Sequence, residues 1–241
     1  MRNWLFLKAV KRLANQTRNW ATQQTQNSTQ SIEMIDSETG ERRLQTEMGS
    51  LERACQFYDR QMRSSLTEKM AALIRRQEMV FVATADASGN CDCSPRFGNA
   101  GFVLVLDETT LAWPEYRGNG VYASLGNILE NPHVGLVFLD MFDTTVGLHV
   151  NGEARSYPES EAPEILKDFI EQNDPPIVTT IERWVVVKID EAYIHCSKHV
   201  PRVERTGKQI DWGTDDPAAK SSEFFIEENS GSKILTEQPK G

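Results

Sequence analysis

From Met79 to Cys196 the chain is cut by turn residues into short stretches of strand character, at roughly ten-residue spacing. Met79–Ala85 is rich in Val, Phe and Thr and runs into the turn Asp86-Ala87-Ser88-Gly89. Asn90–Arg96 alternates as its returning strand. Phe102–Leu106 and Thr110–Trp113 flank Asp107-Glu108 as a second hairpin. Val134–Leu139 and Val146–Val150 follow, with Asn151-Gly152 read as a turn into Glu153–Tyr157. Trp184–Ile189 and Ala192–Cys196 are read as a last hairpin around Asp190-Glu191. Many short strands and few helices predict a mainly β fold, an antiparallel barrel or sandwich.

The helices expected beside it are few. Leu51–Gln77 has helical spacing in two pieces, the second opened by the capping-box pattern Ser65-Leu66-Thr67-Glu68 and carrying the stripe Leu66, Met70, Leu73 and Ile74. Ala162–Gln172 is a short helix between prolines. Both ends of the chain lack this patterning. Residues 1–32 have no acidic side chain but carry Arg2, Lys8, Lys11, Arg12 and Arg18, with Trp4, Leu5, Leu7, Val10 and Leu13 along one side of a short helix. A membrane-surface anchor, a transit-peptide-like leader and a helix packed on the core all fit such a segment. Three parts are therefore expected: a flexible basic, polar extension over 1–48 with weak membrane-surface contact, a folded domain over 49–203, and a polar acidic tail over 204–241.

One stretch carries a chemical signal. Between Trp113 and Pro132, Pro114 ends a strand, Arg117-Gly118-Asn119-Gly120 forms a permissive turn with one cation, and Val121, Leu125, Ile128 and Leu129 recur at helical spacing. Arginine, glycines and a helix N-terminus together make a phosphate cradle, because free N–H groups and the helix dipole favour an anion. The same residues also read as an ordinary Gly/Asn turn with a surface arginine. Neither G-x-x-x-x-G-K nor G-x-G-x-x-G occurs.

With 26 basic and 35 acidic side chains, the formal charge of −9 argues against nucleic acid as the main partner. Cys55, Cys91, Cys93 and Cys196 form no C-x-x-C pair, which suits a reducing, cytoplasmic setting. Cys91 and Cys93, on one face of a strand, are read as packing thiols. His195, Cys196 and His199 lie close together, but on a strand Cys196 would point away from the two histidines. No metal site is expected there. His133 and His149 are read as structural.

Several short motifs, in this order and spacing, resemble the pyridoxamine 5′-phosphate oxidase-like family of FMN-binding split barrels. They are Cys-Ser-Pro-Arg at 93–96, Gly-Phe-Val at 101–103, Leu-Asp-Glu at 106–108, Pro-Glu-Tyr-Arg-Gly-Asn at 114–119 and Ser-Leu-Gly-Asn-Ile at 124–128. Glu-Asn-Pro-His at 130–133, Val-Asn-Gly at 150–152 and Ile-His-Cys-Ser-Lys-His at 194–199 complete them. The resemblance implies a six- to eight-stranded antiparallel Greek-key split barrel with flanking helices. It further implies a homodimer with FMN at the interface, and an FMN-dependent oxidoreductase that passes hydride between a small organic substrate and the flavin.

Carried over by position, Arg117 and Asn119 grip the phosphate, while Ser94 and Arg96 line the ribityl chain and ring. Ser124 and Asn127 add hydrogen bonds to phosphate or partner. Lys198 stabilises reduced flavin, and His195 transfers protons. The family also includes members that use the deazaflavin F420 or bind haem, so a non-catalytic carrier or sensor of the same fold is the alternative. Phe-Val-Leu-Val-Leu at 102–106 replaces a basic position of the true oxidases, and His-Cys-Ser-Lys-His-Val-Pro-Arg at 195–202 replaces their Arg-x-His motif. A substrate other than a vitamin B6 phosphate is expected.

Overall fold

The computed structural model describes residues 39–118, 120–175, 181–207, 210 and 214. The basic segment 1–32 and, within the polar tail, residues 208–209, 211–213 and 215–241 lie outside them. The chain divides into two compact units, Met1–Met62 and Arg63–Gly241.

In the first unit, α1 (Gly40–Glu47) is capped by Thr39, whose hydroxyl accepts from the Arg42 amide, and α2 (Leu51–Gln61) follows the left-handed Gly49. Tyr58 donates to the Glu41 carboxylate, and Gln45 donates to the same carboxylate at 3.0 Å, tying the two helices together. No element was expected at 40–47, because Leu44 is the segment's one large apolar side chain and it stays exposed. Its order comes from the cap and this polar network.

The second unit is built on one antiparallel sheet of seven strands: β1 (Met79–Ala85), β2 (Cys91–Phe97), β3 (Leu104–Asp107), β4 (Thr110–Tyr116), β5 (His133–Leu139), β6 (Gly147–Pro158) and β7 (Ile181–His195). The order across the sheet is β2-β1-β5-β6-β7-β4-β3. Four strands separate β2 from β4, yet Arg96 of β2 bonds Glu115 of β4 at 2.8 Å, so the sheet rolls until its ends nearly meet. This is the mainly β, antiparallel split-barrel architecture. Its interior holds Trp113, Phe102, Phe138, Leu111, Leu136 and Leu148, all fully buried. Helix α3 (Glu68–Arg75) adds Met70, Leu73 and Ile74 to that core. Its cap is Thr67, whose hydroxyl accepts from the Met70 amide, rather than Ser65 of the capping-box pattern.

Two expected turns are absent. Asn151-Gly152 lies inside the continuous strand β6, and Asp190-Glu191 inside β7, where the pairing slips by one residue between Asn151 and Gly152. The pair of turn signals is thus one β-bulge, which bends both long strands without ending them. Gly152 is required there because a Cβ would run into the Lys188 carbonyl oxygen. Asn151 donates to Glu191 at 2.7 Å across the bulge, and Arg63 pairs with Ala192 as an extra bridge.

The hairpin loop after β5 is held by Asp140. Its buried carboxylate accepts from Arg76 at 2.9 Å and from the Thr144 hydroxyl at 2.6 Å. Burial alone would raise its pKa, but these bonds and the Asp143 and Thr144 amides prevail and hold it lowered to about 2. The chain beyond β7 returns to this loop. Val203 donates its amide to the Met141 carbonyl, Arg202 bonds the Asp143 carbonyl at 2.7 Å, and Arg205 lies 4.3 Å from the Phe142 ring centre.

Candidate functional site

Alternation along the edge strand β2 sends Asp92, Ser94 and Arg96 inward and leaves Cys91, Cys93, Pro95 and Phe97 exposed. The two thiols are therefore not packed in this protomer; all four cysteines are free and exposed. Facing the inward set are the end of β4, the turn after it, and the first residues of α4 (Ala123–Glu130). Between them lies a cleft of about 590 Å³, of ordinary size for a small-molecule site.

Helix α4 starts without a side-chain cap. Tyr122, at the capping position, is left-handed with φ 53° and ψ 32°, a conformation uncommon outside glycine, Asn and Asp. Leu125 and Ile128 turn into the core, while Val121 and Leu129 are exposed at 69% and 77%. The helix is thus pinned by one apolar face and presents the other outward. Asn127 reaches away from the cleft and donates to Thr84 of β1 at 3.0 Å.

Every charged group at the cleft has a partner. Arg96 donates through Nε to both oxygens of Glu115, at 2.8 and 3.0 Å, and the buried Trp113 donates to the same carboxylate at 2.8 Å. Asp92 accepts from both Ser94, at 3.0 Å, and Ser124, at 2.7 Å. Arg117 donates to Glu182 at 3.3 Å, and Tyr122 donates its hydroxyl to the other Glu182 oxygen at 3.0 Å. The Tyr122 phenol is pushed up by that hydrogen bond to a carboxylate and by the carboxylate's charge. Arg117 remains largely exposed, whereas Arg96 is mostly enclosed.

Of the residues singled out in the sequence, Ser94, Arg96, Arg117 and Ser124 line this one cleft. Asn127 shares the helix but not the cleft, and Asn119 lies outside the described residues. His195 and Lys198 are elsewhere: β7 begins beside the cleft with Glu182 and ends, 13 residues later, at His195. There His195 meets His149 of β6, with Nδ1 and Nε2 3.2 Å apart, and His149 stacks on Tyr193 at 4.7 Å. Burial, then the neighbouring His195, hold the His149 pKa below its ordinary value. His149 is thus one half of a histidine pair, a role its isolated place in the sequence does not reveal. Strand geometry also stops at His195, since Ser197–His199 form a 3-10 turn, so the alternation assumed for His195 and His199 does not apply. Among the described residues no group of three or more His, Cys, Asp or Glu side chains could hold a metal.

Asp92, Glu115, Tyr122 and Glu182 were not among the sequence candidates. Glu115 and Tyr122 flank Arg117 in the central stretch and could have been suspected. Asp92 and Glu182 come from other strands and carry no local signal.

A family model described as pyridoxamine 5′-phosphate oxidase matches residues 66–196, more than half of the chain. No curated protein matches. Among solved structures, HupZ of Group A Streptococcus is 19% identical and aligns over 58% of this chain and 99% of its own, with a TM-score of 0.42. A Lactobacillus delbrueckii protein named after pyridoxamine 5′-phosphate oxidase is 24% identical, over 54% of this chain and 95% of its own, with a TM-score of 0.40. An F420 reductase is 18% identical, over 54% and 98%, with a TM-score of 0.35.

Proposed function

The chain belongs to the pyridoxamine 5′-phosphate oxidase family, and from that premise we propose that the cleft between β2, β4 and α4 seats FMN in an oxidoreductase acting on a small organic substrate. The observation that carries this reading is the meeting of Arg117, Tyr122 and the uncapped start of α4 at one mouth of a cleft of about 590 Å³. These are donors suited to a phosphate. Arg96, fixed from both sides by Glu115, would orient the rest of the ligand rather than neutralise its phosphate. Ser94 and Ser124 already give their protons to Asp92, so they would meet the ligand as acceptors, or as donors only after leaving Asp92.

When bound, FMN supplies the hydride and electron chemistry; the chain binds it, orients it and keeps water from one side. His195 is the proposed proton donor. Its ring is held by His149, which leaves it one nitrogen for other partners. One protomer cannot bring His195 and Lys198 to its own cleft, since 13 residues of extended strand span about 40 Å. A homodimer, with the far end of a second copy's β7 at this cleft, would complete the site. The exposed Val121, Tyr122 and Leu129 beside the cleft are the contact surface proposed for that copy.

The test is the absorption spectrum of the purified full-length protein, with mass spectrometry of the released molecule, alongside Arg117→Ala. Flavin absorbance, a mass matching FMN and loss of flavin from the variant support the reading. Undiminished flavin in Arg117→Ala removes the phosphate assignment, and flavin that no nicotinamide donor reduces would make the protein a carrier.

A further inference from the structure

Glu182 stands where an anionic ligand would be expected. Its two carboxylate oxygens are divided between the Arg117 guanidinium, at 3.3 Å, and the Tyr122 hydroxyl, at 3.0 Å. A cation and a hydroxyl bridged by one anion is the donor set that a phosphate monoester takes. Glu182 is a quarter exposed and sits at the register shift between β7 and β4, flanked by Ile181 paired with Tyr116 and Arg183 paired with Glu115, which fixes its backbone beside the turn. Tyr122 is held in its left-handed conformation immediately before α4, so its hydroxyl reaches the same carboxylate from the other side.

We propose that Glu182 is a built-in competitor for the phosphate seat. It holds Arg117 and Tyr122 in place in the ligand-free protein and must give them up when the phosphate binds. This rests on the FMN reading above. It adds Glu182 as the residue that sets the affinity and selectivity of that seat. Glu182 stands beside Tyr122 and Arg117, so a phosphate that binds while the Glu182 carboxylate stays near meets its repulsion and finds both donors occupied. A ligand with the same ring system and no phosphate leaves the Glu182 contacts undisturbed.

The experiment is calorimetric titration of the ligand-free full-length protein with FMN and with riboflavin, which lacks the phosphate, for wild type, Glu182→Gln, Arg117→Ala and Glu182→Gln/Tyr122→Phe. Exposed ion pairs contribute up to about 1 kcal/mol, so Glu182→Gln should bind FMN up to about fivefold more tightly, with riboflavin unchanged. Adding Tyr122→Phe should reverse part of that gain. If Arg117→Ala weakens FMN but Glu182→Gln leaves it unchanged or weakens it too, the competitor role is wrong, Glu182 positions Arg117, and the phosphate seat stands. If Arg117→Ala leaves FMN affinity unchanged, the seat itself is wrong and the role of Glu182 falls with it.

Discussion

The two ends of β7 do different work although one strand joins them. At the Glu182 end, arginines meet carboxylates and a cleft opens beside them; at the His195 end, two imidazoles meet and Tyr193 stacks on one. The first end can exchange an internal anion for an external one. The second holds two imidazoles whose ring nitrogens face each other, so each can donate or accept according to its tautomer. The family resemblance assigns residues of both ends to one flavin site, but the length of β7 keeps them apart within a protomer. The joint site proposed above is one that a second copy would complete.

That comparison can be broken most decisively at α4. Leu129→Arg places a charge on the exposed apolar face proposed to meet the second copy, so it should convert a dimer to a monomer in light scattering and abolish flavin retention. A monomer that keeps stoichiometric flavin would show that the cleft end suffices alone. Next in size is the bulge that joins the two ends. Gly152→Ala drives a methyl into the Lys188 carbonyl and should cost about 3 kcal/mol in denaturant unfolding; an unchanged midpoint would mean the bulge does not constrain the strands.

The loop beside the His195 end tests the comparison through pH. The Asp140 carboxyl sits at about 2 when folded, below its unfolded value of about 3.9, so its ionised form stabilises the fold. That contribution, about 2 kcal/mol, is complete above about pH 4 and is lost as the pH falls through about 2. Asp140→Asn should lower stability at neutral pH and flatten the acid limb of the stability curve. The smallest effect is expected from His149→Phe. Flavin affinity should stay within about twofold, while the tautomer balance of His195, read by nitrogen NMR, should shift. A loss of flavin as large as that of Arg117→Ala would merge the two ends into one function.

Much of this was readable along the chain. The strand segments and the helix after Gly120 follow from period and turn residues, which act over a few neighbours, whereas Ser94 and Arg96 were reached through the family resemblance. The two misread turns have one physical cause. Asn151-Gly152 and Asp190-Glu191 are turn signals when each is taken alone, but face to face across two strands they form one bulge. Ser65 likewise offered a cap that the chain used two residues later at Thr67.

Fold class and family are legible from local spacing and motif order alone, as is the place of Arg117 in the turn before α4. Which polar groups meet is set by the three-dimensional fold. Glu182 reaches Arg117 across 65 residues, Asp92 reaches Ser124 across 32, and His149 reaches His195 across 46. Pairings of that range depend on how the sheet rolls and on which strands lie side by side, and no window along the chain contains that information.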